Sequence, residues 1–312
     1  MDFQKLIRLF SSSALGGVLS VKNQSYDRLV ESLSEVQFIS RDFDADEEAT
    51  IITLQILDDD MFYRLLAGEA NKFLLASRVT LDRANQSQQG NVAWQAVEHY
   101  YAAYYAIQYL IRLTGISITN LSDPICRSIS RDIEYQLNKK VDVNGGLYSL
   151  KFSESEKCIY LKQEKQKRAG GSHKGAWKLW SDLVDNLIQG AGADIEEYID
   201  TSLRLAEHKK FLYRSKNQFN PSEVRAEINY QFKGGVWIFE KNSTRSIDRL
   251  NGAIGSSFIG DLSREVSPDT LISNNKLIID FAKNFFLFSS DKYPKSICRQ
   301  LSNKYSGYFS NA

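Results

Sequence analysis

The stretch from Val92 to Leu113 limits the fold more than any other part of the chain. It reads VAWQAVEHYYAAYYAIQYLIRL, has no Pro or Gly, and is apolar on nearly every side of a 3.6-residue repeat. Trp94, Val97, Tyr101, Tyr105, Gln108 and Ile111 or Arg112 fall on one stripe, and Tyr100, Tyr104, Ile107 and Leu110 fill the flank beside it. A helix without a polar face must be surrounded by other elements, so this one is predicted at the centre of a bundle. Ala102, Ala103 and Ala106 let neighbours come close, and Gly115 ends it. Trp94, Val97, Tyr101, Tyr104, Tyr105 and Ile111 are its expected buried faces.

The rest of the chain suits such a bundle. Only 4 Pro occur in 312 residues, which favours long uninterrupted helices. Residues 1–84 are predicted helical. Ser25 is an N-cap for Tyr26, Leu29, Val30, Leu33 and Val36, and an apolar segment runs from Ile51 to Leu57. Asp58, Asp59 and Asp60 then open a helix carrying Met61, Leu65 and Leu66. Acidic side chains there cap free N–H groups and complement the helix dipole; consecutive helical residues diverge and chelate poorly. Residues 85–91 (NQSQQGN) form a polar loop. Further helices are predicted over 176–187, 194–213, from Asn220-Pro221-Ser222, over 268–288, and after Pro294. Two segments alternate like hairpins: residues 140–152 around Asn144-Gly145, and residues 228–239 around KGG. The predicted fold is mainly α. A helical bundle lies around 92–113, with helical N- and C-terminal extensions and one or two small β-hairpins. The regions are 1–84, 85–240 and 241–312.

Charge and motifs exclude several classes. Lys and Arg number 39 against 38 Asp and Glu, a net charge of +1, so the chain does not coat DNA through its overall charge. Any nucleic-acid contact must come from a local patch. Cys126, Cys158 and Cys298 are too few and too scattered for a disulfide framework, which suits a reducing, cytoplasmic setting. Residues 1–21 run basic-then-apolar like a secretory leader, but Asp2, the serines 11–13 and the lack of a small-x-small cleavage site argue against one. No apolar run reaches 18 residues, and no membrane span is predicted. Gly170 and Gly175 have phosphate-loop spacing, but Ala176 stands where that loop needs Lys. Glu207-His208-Lys209 sits in a helical pattern rather than on a nuclease strand, and no nucleophile elbow is present. His99, His173 and His208 lack zinc spacing, so no metal and no cofactor are expected.

Residues 151–180 are the most unusual in composition. Lys151, Lys157, Lys162, Lys165, Lys167, Arg168, Lys174 and Lys178 are interleaved with Tyr160, Trp177 and Trp180. Basic side chains neutralise phosphates and aromatic faces stack on unpaired bases, which makes Lys162, Lys165, Lys167, Arg168 and Lys174 a binding surface for nucleic acid or an acidic partner. The other reading is a solvated basic loop leading to a core helix that buries both tryptophans.

The segment AVEHYYAAYYAIQYLIRLTG resembles the tyrosine- and alanine-rich helix of HEPN proteins, small helical domains of bacterial toxin and phage-defence systems. Residues 213–236 are similar to the Arg-rich terminal segment of some HEPN branches, with Arg214, Asn217 and Phe219 at the matching positions. The resemblance covers residues 85–240. Many HEPN proteins carry an Arg and a His separated by four to six residues. In active members these cleave RNA without a metal, usually across a dimer: His moves a proton and Arg stabilises charge on the phosphorus. Arg168-AGGS-His173 has that spacing but lies in a glycine loop. Arg204-LAE-His208 lies on a helix with both side chains on one face, but with three residues between them. No His follows Arg214. The same histidines also read as ordinary structural residues: His208 on a helix surface, His173 at a helix N-terminus, His99 as a satisfied core histidine. The resemblance thus implies a non-catalytic or degenerate HEPN-like module, acting through protein partners or as a homodimer in a bacterial antiviral defence or toxin-type assembly. The alternative is a metal-independent endoribonuclease that uses Arg168 and His173, or Arg204 and His208, on RNA or single-stranded nucleic acid.

Overall fold

The computed structural model describes residues 2–22, 29–86, 91–164, 171–215, 218–241, 243–256, 262 and 265–309, and is 66% helical. Helices α1 (Phe3–Ser11), α2 (Gly16–Ser20) and α3 (Leu29–Ser32) lead into strands β1 (Phe38–Ala45) and β2 (Ala49–Ile56). The long helices α4 (Asp59–Gln86) and α5 (Val92–Leu113) follow, then β3 (Ile116–Leu121), α6 (Asp123–Leu137), β4 (Gly146–Ser153) and β5 (Cys158–Glu164). Next come α7 (Ser172–Ala191), α8 (Ile195–Leu212), a short ribbon of β6 (Tyr213–Ser215) and β7 (Gln218–Phe219), and α9 (Asn220–Gln231). The chain continues through α10 (Thr244–Gly255), α11 (Pro268–Lys292), α12 (Ile297–Lys304) and α13 (Ser306–Phe309).

Helix α5 has the bounds its periodicity predicts and sits among α4, α7, α9 and α11. The α4–α5 pair is antiparallel. Ser77 Oγ donates to the Ala102 carbonyl at 2.7 Å, and Gln95 Nε2 donates to the Ala84 carbonyl at 2.8 Å. Ala102, Ala103 and Ala106 are fully covered, which is the close approach expected of them. Gly115 closes the helix in the left-handed region, at φ 76°, a conformation glycine adopts without strain. Of the expected buried faces, Val97, Tyr104 and Ile111 are buried and Tyr101 and Tyr105 half-buried. Trp94 is 45% exposed although Val92, Ala93, Gln95 and Ala96 around it are buried, so its side chain alone lies on the outer side of the first turn. At the N-terminus, Phe10 packs edge-on against Phe281 and Phe285 of α11, at 5.3 and 4.7 Å between ring centroids. No helix among the described residues is long and apolar enough to cross a membrane.

Asp58 begins α4 as its composition predicts, its Oδ1 accepting from Met61 N–H at 3.0 Å. Replacement of Asp58 by Ala is expected to cost about 1 kcal/mol in urea denaturation, the usual value of an N-cap.

The sheet is larger than one or two hairpins. Five antiparallel strands are ordered β1-β2-β5-β4-β3, so residues 1–84 are not wholly helical and the boundary at 84 cuts through one sheet. Ile52, Leu54, Ile159, Leu161, Leu150 and Phe152 form its inner face, with Phe152 4.7 Å from the Phe62 ring of α4. The outer face mixes Thr53, Gln55, Ser149, Lys151 and Lys162 with exposed Ile51 and Leu147, so the apolar–polar alternation of a strand is weak. The Asn144-Gly145 hairpin is absent. Residues 140–145 run along α6, with Val143 N–H on Ser130 Oγ, while β4 pairs with β3 and β5. The tight turn lies instead between Ser153 and Cys158, where Lys157 takes a positive φ and its ammonium reaches Asp59 at 2.7 Å. Residues 228–239 form no hairpin either. Ile228 to Gln231 complete α9, which ends at Phe232 with φ 52°, and the amides that strands would have paired are taken by a carboxylate.

Candidate active site

Helix α7 starts at residue Ser172 with no side-chain cap, and its first turn packs tightly on β3. A Cβ on Gly175 would lie 2.4 Å from Ile118 Cδ1, so a larger residue there would make the Ile118 side chain move. This contact sets His173 against the tyrosines of α5. Its ring stacks on Tyr104 at 4.3 Å between centroids and meets Tyr101 edge-on at 5.8 Å. His173 Nδ1 shares a hydrogen bond with the Tyr100 hydroxyl at 2.9 Å, and Nε2 has no partner among the described residues.

Tyr100 is fully buried and ties three helices together. Trp177 Nε1–H of α7 donates to its hydroxyl at 3.1 Å, and Ser222 Oγ of α9 lies 3.4 Å away. Helix α9, started by Pro221, brings Arg225 over the same rings. Its guanidinium carbon is 5.3 Å from the Tyr100 centroid and 5.8 Å from that of Tyr101, and Nη1 donates to the Tyr230 hydroxyl at 3.1 Å. Such cation–ring contacts hold the charge in place while leaving it available to an anion. Burial, and then the positive charge of Arg225, lower the His173 pKa below the ordinary imidazole value, so the ring is neutral at pH 7. Burial raises the Tyr100 pKa against the opposing pull of Ser222, Trp177 and Arg225, so the phenol keeps its proton.

The other expected site residues lie elsewhere. His208 is fully buried: Trp180 Nε1–H donates to its Nε2 and its Nδ1–H donates to Asn274 Oδ1, both at 2.8 Å. That ring has no nitrogen left for a substrate and is not on a helix surface. Arg204, four residues away, binds Asp200 at 3.0 Å at the surface, so Arg204 and His208 do not form a joint site. His99 is in the core as expected but unsatisfied, since neither nitrogen has a partner among the described residues. Lys165, Lys167 and Arg168 lie outside the described residues, as does Asn217. Lys162 stands on the outer face of β5 and Lys174 is half-buried beside His173. Trp177 and Trp180 are both in the core and offer no face to a base. Arg214 pairs with Glu227 at 2.9 Å, and Phe219 is buried. Among the described residues no group of three or more His, Cys, Asp or Glu could hold a metal ion.

Sequence reasoning found His173 and missed Tyr100, Ser222 and Arg225 as its partners. Tyr100 reads as core, and Arg225 as one charge on the face of a helix. Only the packing of α9 across α5 joins them. No protein-family model, no curated protein and no solved structure matches the chain.

Proposed function

We propose that this protein is a metal-independent endoribonuclease on a HEPN-like bundle, with His173 as proton carrier and Arg225 as the charge that receives the phosphate. The observation that carries this reading is the neutral His173, oriented through Nδ1 by Tyr100 and open at Nε2, beside the Arg225 guanidinium. Tyr100 orients the ring in both of its protonation states. When Nδ1–H donates to the Tyr100 oxygen, the phenol donates to Ser222 and Nε2 is a base. Once Nε2 has taken a proton the ring is an imidazolium, its Nδ1–H still held by the Tyr100 oxygen, and Nε2–H is then the acid. In the proposed reaction Nε2 takes the proton of a ribose 2′-hydroxyl, the 2′-oxygen bonds to the adjacent phosphorus, and the bond from phosphorus to the 5′-oxygen breaks. The proton passes from His173 to the leaving 5′-oxygen, giving a 2′,3′-cyclic phosphate and a 5′-hydroxyl. Arg225 offsets the charge that builds on the phosphoryl oxygens.

Labelled single-stranded RNA, incubated with the protein in excess chelator, tests this. His173→Gln is expected to lower the cleavage rate by about 10²–10⁴-fold. Arg225→Ala is expected to lower it by about 10²–10³-fold, with Arg225→Lys between Arg225→Ala and the native protein. Because the base is the neutral ring and its pKa lies below 6.5, activity should hold as pH falls through 6.5 and drop only at lower pH. Equal cleavage by His173→Gln removes the assignment.

A second reading, a non-catalytic module working through protein partners in a defence or toxin-type assembly, is favoured by Ile199 and Leu203. These are exposed one turn apart on α8. An intact native protein that cleaves no RNA would leave that reading in place.

A further inference from the structure

Beyond the end of α9 the chain builds a rigid aromatic surface. Glu240 turns back into its own loop, where its carboxylate accepts from the N–H groups of Gly235, Val236 and Trp237, each at 2.9 Å. Gly234 and Gly235 have φ 109° and 67°, a backbone that other residues rarely adopt, so the loop is specified at these two positions. Trp237 is pinned from two sides: Val236 is buried next to it, and its Nε1–H donates to the Ile228 carbonyl at 2.9 Å. On this base Phe239 stacks on Trp237 at 5.4 Å and 21°, Phe232 meets both rings, and Trp94 of α5 meets Trp237 edge-on at 6.1 Å. Phe239 is 67% exposed and Phe232 53%. Large rings this open, on a loop held this firmly, mark a binding surface rather than incomplete burial.

The charges around these rings select the occupant. Lys233 and Lys241 bracket the loop, both exposed and without an ion pair among the described residues. Three carboxylates close to the rings are engaged: Glu240 by three amides, Glu98 by Arg83 at 2.8 Å, Glu227 by Arg214. The surface is also continuous with the His173 site. Trp94 and Tyr101 lie two turns apart on one face of α5, about 10 Å along its axis. From the loop side, Tyr230 reaches Arg225 only two residues before Phe232. Flat rings between free cations suit unpaired bases, whose phosphates the lysines meet.

We infer that Trp94, Phe232, Trp237 and Phe239 form a base-stacking subsite for an unpaired nucleic-acid strand that leads into the His173–Arg225 site. This rests on the ribonuclease reading for its direction but is tested apart from it. The probe is a fluorescent single-stranded DNA oligonucleotide, which lacks the attacking 2′-hydroxyl and is bound without being cleaved. The native protein should bind it more tightly than the same sequence as a duplex, with tryptophan quenching. The double variant Phe232→Ala/Phe239→Ala should keep its melting temperature and bind at least about tenfold more weakly. Lys233→Glu/Lys241→Glu should weaken binding and flatten its salt dependence. Native protein that does not bind, or an aromatic variant that binds as well as native, overturns the subsite whatever the cleavage assay shows. Loss of a protein complex in the variant with oligonucleotide binding unchanged overturns it in favour of a protein partner. Normal oligonucleotide binding by a His173→Gln protein, whether or not it still cleaves RNA, leaves the subsite standing.

Discussion

Acidification from pH 7 to 4.5 is expected to remove about 5 kcal/mol of stability, read as a falling urea midpoint at pH 7, 6, 5 and 4.5. Two buried histidines are responsible. Burial, with Lys276 nearby, pushes the His99 pKa down to about 3. Burial pushes that of His208 down to about 4, against a small upward pull from Asn274. In the unfolded chain both titrate near 6.5. Below that pH the unfolded state gains a proton at each ring while the folded state does not, so stability falls as pH falls. The contribution is complete above 6.5 and is lost progressively down to about 4 for His208 and about 3 for His99. Each ring gives a slope of about 1.4 kcal/mol per pH unit, and two units with two rings make a large part of a typical 5–15 kcal/mol. His173 adds in the same sense. Asp280 works against it, since burial raises its carboxyl pKa and protonation relieves the folded state. The His208→Gln protein should show about half the slope. Flat stability between pH 6.5 and 5 would mean that the rings protonate without unfolding.

Glu69→Ala should destabilise the chain by about 3–5 kcal/mol, the largest loss expected from one side chain. Arg112, near the end of α5, is 2% exposed and donates from Nε to Glu69 Oε2 at 2.6 Å. Its Nη1 reaches the Gln108 carbonyl at 3.0 Å and the Gln108 side chain, and the guanidinium lies 4.4 Å over the Phe73 ring. Without Glu69 the cation is left in the core with no counter-charge, and its carbonyl partners do not replace one. The double variant Glu69→Leu/Arg112→Met should recover most of the loss, because it removes both charges and keeps the volume. If the double variant is as unstable as Glu69→Ala, packing around the pair dominates and not the orphaned charge.

Much of the helical framework was legible in local pattern. The apolar repeat of 92–113, the aspartates before Met61, Pro221 at the head of α9 and Pro268 at the head of α11 each act within a turn or two of chain, and their physics does not depend on distant partners. The sheet was not legible. β1 and β5 place charged and polar residues on an open face, and their strand character exists only once β2 lies between them. KGG read as a turn between strands for the same reason, since nothing near it shows that Glu240 will fold back on the amides of Gly235, Val236 and Trp237.

The site divides along the same line. Residue type and the four-residue spacing from Arg168 single out His173 in the sequence as a residue able to move a proton. Which residue shares its chemistry is a matter of packing. Arg204 stands near a histidine in sequence, but among the described residues Arg225, from a helix packed on α5, is the cation whose charge acts on His173. His208, on a helix with an arginine one turn away, is instead sealed between Trp180 and Asn274. By itself the sequence determined several of the long helices, such as α5, α8 and α11, and which side chains can carry charge or protons, because propensity, capping and ionisation are local. Tertiary structure alone decided which of those side chains meet, which are shut away from water and how far their protons are shifted, because burial and Coulomb interaction depend on neighbours that the chain brings from far along its length.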